Sequence, residues 1–238
     1  MTKYNIQSIL DFLKSSHISN GEFKSTPYKY KMFFKLFLIN LLIVVLLSIV
    51  TGFLRLKFNI SFKEVDLQLP MIWLLNLTMI PVLEEIAFRL PLIYKKNNIV
   101  LSFSAITYFT TSLLLADGAL DISTNIYLRL IISVVIGVVI FFLLSLKSIE
   151  NKISKFWETY SKLIFYVLLL LFTLGHIENY ILTSITLLLM PILLLPQFIG
   201  GVFLSFIRTK FGFEYAILFH ILINLFAFGP QIIMYLIH

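Results

Sequence analysis

Three short motifs combine residues that could do chemistry with a helical spacing: Glu84-Glu85-x-x-x-Arg89, Phe172-x-x-x-His176 and His220-x-x-x-Asn224. Each falls in a separate apolar stretch. Ionisable side chains are costly inside a bilayer, and where they occur they mark a pathway, a pocket or a reaction centre. Two carboxylates, a guanidinium, two imidazoles and a carboxamide are together sufficient to activate a water molecule and to stabilise an oxyanion.

The spacing assigns roles within each motif. Glu84 and Glu85 project about 100° apart on a helix, so they are expected to serve different ends. Glu85 and Arg89 stand at i,i+4 with the acid first, the favoured order for an ion pair. That pairing reads as a clamp and leaves Glu84 free to face a cavity as a general base. A structural alternative has both acids pairing with Arg89 to lock helices. Phe172 and His176 share a face, and so do His220 and Asn224. The latter two are neighbouring donors of the kind an oxyanion hole uses, or polar glue between helices.

These residues need helices to position them, and the composition supplies them. The chain has 238 residues, 59% hydrophobic and 13% charged, with a mean hydropathy of +0.96. A soluble domain carries about 25% charged residues, so an integral membrane protein is expected. A span takes ~20 apolar residues. Segments near 32–54, 69–93, 99–116, 126–146, 162–177, 180–207 and 213–237 qualify or come close. Pro191, Pro196 and the Gly200-Gly201 pair predict a kink or break in the sixth, with an eighth, half-length helix possible within it. The fold class read here is all-α, a polytopic transmembrane bundle of about seven to eight spans. Residues 32–238 form its membrane-embedded domain and 1–31 a cytoplasmic tail that does not read as a signal peptide. Ile6, Ile9, Leu10 and Leu13 give that tail one amphipathic helix.

Lysine and arginine distribution sets orientation. Lys3, Lys14, Lys24, Lys29 and Lys31 place the N-terminus inside. Lys95 and Lys96, then Lys147, Lys152, Lys155 and Lys162, then Arg208 and Lys210, follow on the same side, with Asp117 and Asp121 opposite. The loop with Arg55, Lys57 and Lys63 runs against the rule. In a core ~30 Å thick, with a rise of ~1.5 Å per residue, Glu84, His176 and His220 are all buried. The net charge of +7 follows from cytoplasmic-side lysines, and no basic folded patch suggests nucleic acid. The absence of cysteine excludes disulfides and thiolate chemistry.

The ordered trio on separate apolar helices resembles the CAAX protease and bacteriocin-processing family (CPBP, also called ABI), over about residues 69–230. The resemblance implies an intramembrane endopeptidase, with a membrane-associated peptide or protein as substrate. It implies Glu84 and His176 around the hydrolytic water, His220 and Asn224 at the oxyanion, and Glu85, Arg89 and Phe172 in support. It also raises zinc, which would take Glu84, His176 and His220. The spacing is not that of His-Glu-x-x-His, where one helix supplies two ligands and a separate base, so a metal-free glutamate mechanism is favoured. The small size, without extra segments, leads to a bacterial cytoplasmic membrane as the expected location. The competing readings are a non-enzymatic immunity or scaffold protein that keeps the pocket, and a proton-coupled transporter. The transporter would carry inverted repeats, and none is visible. Asn76, Thr78 and Gln197 are expected as interhelical hydrogen bonders. Trp73, Tyr94, Trp157 and Tyr180 are expected as interfacial aromatics. His17 and His238 are expected to play no part.

Overall fold

The computed structural model describes residues 6–14, 26–63, 74–116, 121 and 124–237. His17, His238, Trp73, Asp117, Lys3, Lys24 and the first residues of the expected second span lie outside these. The described chain is helical: α1 (Ile6–Lys14), α2 (Thr26–Phe58), a π turn (Leu75–Met79), α3 (Ile80–Phe88), a 3-10 turn (Leu90–Leu92), α4 (Lys96–Leu115), α5 (Ile126–Leu143), α6 (Lys147–Thr159), α7 (Ser161–Gly175), a second 3-10 turn (His176–Asn179), α8 (Ser184–Leu193), α9 (Leu195–Lys210) and α10 (Phe213–Ile237). One isolated antiparallel bridge joins Phe62 to Tyr180.

Five stretches are long and apolar enough to cross a membrane: Pro27–Phe58, Lys96–Leu115, Ile126–Leu143, Ser161–Asn179 and Ser184–Lys210, with Phe213–Gly229 a shorter apolar helix. That is compatible with an integral membrane protein. Leu38, Leu42, Leu46, Ile49 and Phe53 on α2, and Ile131, Val134, Val138 and Phe142 on α5, are exposed. Apolar surface of that extent needs a nonaqueous cover.

The second expected span differs most from a single straight helix. As described, it is a π turn, nine residues of α-helix and a 3-10 turn. Two prolines explain the divisions. Pro81, near the start of α3, cannot donate a main-chain hydrogen bond; just before it, Ile80 N–H bonds to Leu75 O in the wider π register. Pro91 disfavours a helical Leu90, and α3 ends at Arg89 with φ −116°. The expected break in the sixth segment falls at Leu194, between α8 and α9. The Thr183 hydroxyl caps α8 by accepting from Thr186 N–H at 3.2 Å.

At the centre stands α9, buried at every position from Gly200 to Thr209. A helix enclosed all round must be apolar all round, and this one nearly is. Phe33, Leu36 and Phe37 of α2, Phe165 and Phe172 of α7, and Phe219 of α10 belong to the same core. The amphipathic helix α1 forms as expected, but its buried residues are Ile9 and Phe12, with Leu10 exposed. Phe12 meets Phe165 and Phe206 edge-on, so α1 is seated on protein. Further corrections concern single residues. Tyr180 is not an interfacial aromatic: it is 2% exposed and donates to Leu193 O at 3.3 Å. Thr78 bonds within its own helix, to Leu74 O. Gln197 Oε1 is buried with no hydrogen-bond partner among the described residues. Arg55 and Lys57 sit in the last turn of α2 and Arg208 is buried in α9, whereas loops were expected.

Candidate active site

The short helix α3 carries Glu84 and Glu85 into the protein between α4, α7 and α10. The carbonyls at and beyond its end are held by donors from three other elements. Ser102 Oγ donates to Ala87 O at 2.6 Å. Arg208 donates to Arg89 O at 3.2 Å and to Leu90 O at 3.4 Å. Trp157 Nε1 donates to Pro91 O at 2.7 Å. A helix leaves its last carbonyls unpaired, and buried ones need partners of this kind.

His220, from α10, enters between the two carboxylates. Its Nδ1 lies 2.9 Å from Glu85 Oε1 and its Nε2 3.4 Å from Glu84 Oε2. This corrects the expectation that the two acids serve unrelated ends. An imidazole has nitrogens on opposite edges, so one ring spans the 100° between successive helical positions. Glu85 does keep its ion pair, with Arg89 Nη1 at 3.6 Å, which is longer than a hydrogen bond. The expected clamp is therefore shared: Glu85 serves both Arg89 and His220. Glu84 is not an unpaired carboxylate, but at 16% exposure its side chain is more open than that of Glu85 at 0%.

Phe172 fills the floor of the site. The Arg89 guanidinium stacks on its ring at 3.6 Å, a favourable contact for a desolvated cation. His176 and His220 approach the same ring edge-on at 4.8 and 6.0 Å. His176 closes α7, with Nδ1 2.9 Å from Phe172 O, and sits within electrostatic range of Glu84, His220 and Arg89. Gly201 admits all of this. A Cβ there would lie 2.7 Å from Leu169 Cδ1, 3.1 Å from the Phe172 ring and 3.2 Å from Arg89 Nη2.

Six of the seven expected residues thus surround one point: Glu84, Glu85, Arg89, Phe172, His176 and His220. Asn224 is turned elsewhere, its Nδ2 donating to Asn76 O at 3.0 Å. The expected oxyanion pair is therefore not two free donors: His220 faces carboxylates and Asn224 a main-chain oxygen in the π turn. Among the described residues no three His, Cys, Asp or Glu side chains converge as a metal site requires. His220 has a carboxylate against each of its nitrogens, and His176 turns Nδ1 to its own helix.

Among the buried polar residues that sequence reasoning missed are Arg208, Arg129 and Asn40. Arg208 was assigned to a loop from its charge. Arg129 is fully buried, bonded to Ser112 Oγ at 3.0 Å and to Asp121 O. Asn40 continues the buried face of Phe33, Leu36 and Phe37, and neither of its amide atoms has a hydrogen-bond partner among the described residues. A single polar residue within an apolar run was the signal in the last two cases. No family model, no curated protein and no solved structure matches this chain.

Proposed function

We propose that the chain is an intramembrane endopeptidase that hydrolyses a peptide bond of a membrane-associated peptide or protein. The observation that carries this reading is His220 held between Glu84 and Glu85 inside apolar helices. An ionised Glu85 can only accept, so it places the imidazole proton on Nδ1 and aims Nε2 at Glu84. This is the logic by which a buried carboxylate orients a catalytic histidine.

In the proposed reaction Glu84, beside His176, removes a proton from water as the oxygen bonds to the substrate carbonyl carbon. The carbonyl becomes a tetrahedral oxyanion. The imidazole of His220, carrying a second proton on Nε2, stabilises it, while Asn224 holds the π turn through Asn76 O. The C–N bond then breaks, and the proton held by Glu84 passes to the leaving nitrogen. An acid and an amine result. No step runs through a metal ion. The same reading takes the protein as a bundle of seven to eight spans in a bacterial cytoplasmic membrane, with the N-terminus inside. Supporting that orientation, Lys162 Nζ donates to Lys14 O, so the N-terminal helix and the lysine-rich α6–α7 junction lie on one side.

One observation favours a second reading, a non-catalytic scaffold or immunity protein. His220, Glu85 and Asn224 all have protein partners, which is what a helix lock would look like. Comparative peptidomics decides. Membranes from cells expressing wild type or Glu84→Gln at equal levels should differ in peptide termini found only with wild type. Identical peptide profiles, with the wild-type phenotype kept by the variant, would leave the scaffold.

A further inference from the structure

The sequence offered α6 only as a lysine-bearing loop. It is instead a helix of 13 residues with none buried, running between the end of α5 and the start of α7. Both of those helices are candidate spans, so α6 sits where they leave the bilayer. Lys96 Nζ, at the start of α4, donates to Ser145 Oγ at 2.6 Å, which puts the beginning of that third apolar helix at the same level.

At 100° per residue, Glu150, Ile153, Ser154 and Trp157 share the half-buried side that faces the protein. Trp157 anchors this side through Pro91 O. The apolar strip is wider than this contact. Phe156 and Tyr160 continue it around the helix, 47% and 48% exposed, with ring centroids 4.9 Å apart. Lys152 and Lys155 come next around the circumference, both exposed. Neither lysine forms an ion pair among the described residues. Lys147 falls about 180° from Phe156, on the opposite side.

Aromatic rings beside lysines, at the level where spans end, are what an interfacial helix presents to headgroups. We propose that α6 is a membrane-surface element that selects anionic lipid headgroups through Lys152 and Lys155, with Phe156 and Tyr160 seated at the acyl-chain boundary. The proposal needs α5 and α7 to cross the bilayer and does not depend on the peptidase reading. A lysine near an anionic surface contributes about fivefold in binding, so the pair should give a preference of about 25-fold.

The chain has two tryptophans, Trp73 and Trp157, and Trp157 lies on α6. In the Trp73→Phe background it becomes the reporter. The full chain is reconstituted in phosphatidylcholine nanodiscs containing brominated phosphatidylglycerol or, separately, brominated phosphatidylcholine. The expected result is stronger quenching of Trp157 by the brominated anionic lipid. That preference should fall close to unity in Lys152→Gln/Lys155→Gln and survive largely intact in Lys147→Gln. Equal quenching by both lipids in the Trp73→Phe parent, or a preference unchanged in the double variant, would overturn headgroup selection. Quenching by neither lipid would place α6 away from the bilayer and overturn the proposal entirely.

Discussion

Arg89 and Arg129 are both enclosed, at 1% and 0% exposure, but they sit in different company. Arg129 ties together one hairpin. Its oxygen partners, Ser112 on α4 and Asp121 between α4 and α5, are near neighbours in sequence, and Tyr108 of α4 lies 5.5 Å below. Arg89 belongs to a cluster drawn from residues 84 to 220. Its surroundings are a carboxylate, a stacked aromatic ring and two imidazoles on separate helices. A local set of acceptors can hold a buried cation. Titratable groups converging from remote segments go beyond that need, and the proposed hydrolysis is what they would serve. The two regions differ in packing as well. The α4–α5 contact is opened by Gly137, where a Cβ would meet Ser104 Oγ, a side chain able to rotate away. Gly201 faces a leucine, a phenylalanine and Arg89 together.

The sharpest way to break the comparison is Glu84→Gln. Loss of a general base costs about 10²–10⁴-fold in rate, while folding should be little changed because Glu84 is partly open. Arg129→Met should leave turnover within a few-fold. Rates measured on an identified cleavage peptide would separate the two, and equal losses would erase the distinction drawn between the regions. Next in size is Glu85→Gln. It leaves Arg89 buried without its acid, which costs about 3–5 kcal/mol. Adding Arg89→Met should recover part of that in thermal unfolding in detergent, and a double variant no better than the single would deny the pairing.

For Arg129→Met the expected stability loss is about 1–3 kcal/mol, since it removes a donor from the part-buried Asp121 carbonyl and from Ser112 Oγ, which keeps its bond to Tyr108 O. A larger loss than for Glu85→Gln would reverse the ranking of the two regions. The smallest and most local test sets Gly201→Ala against Gly137→Ala. Overpacking at Gly201 should cost about 1–3 kcal/mol, and it should also lower activity by displacing Phe172 and Arg89. Gly137→Ala should cost less, because Ser104 yields by giving up its bond to Val100 O. Equal melting temperatures for the two would show that the site tolerates displacement.

Legibility in the sequence followed the range of the interaction. The apolar runs announced the helices, Pro191 and Pro196 announced the break at Leu194, and the i,i+4 pair Glu85–Arg89 was correctly spaced. Each of these is local. Tyr180, Arg208 and Asn224 were misplaced because their partners, Leu193, Arg89 and Asn76, lie outside their own helical turn or in another segment. The division of the second expected span was signalled by Pro81 and Pro91 but read as one continuous helix, because hydropathy averages over a window longer than either turn.

The sequence by itself determined that this chain is helical, apolar enough for a membrane, and supplied with six polar side chains at helical spacings within its apolar runs. Those properties follow from composition and from periodicity along one axis. Only the tertiary structure decided that one imidazole bridges both glutamates, that Phe172 serves Arg89 and two histidines at once, and that Asn224 turns to the π turn. Contacts of that kind depend on how helices distant in the chain rotate and approach one another. Close packing around α9 and its Gly201 sets that rotation and approach, and no spacing within a single helix can encode it.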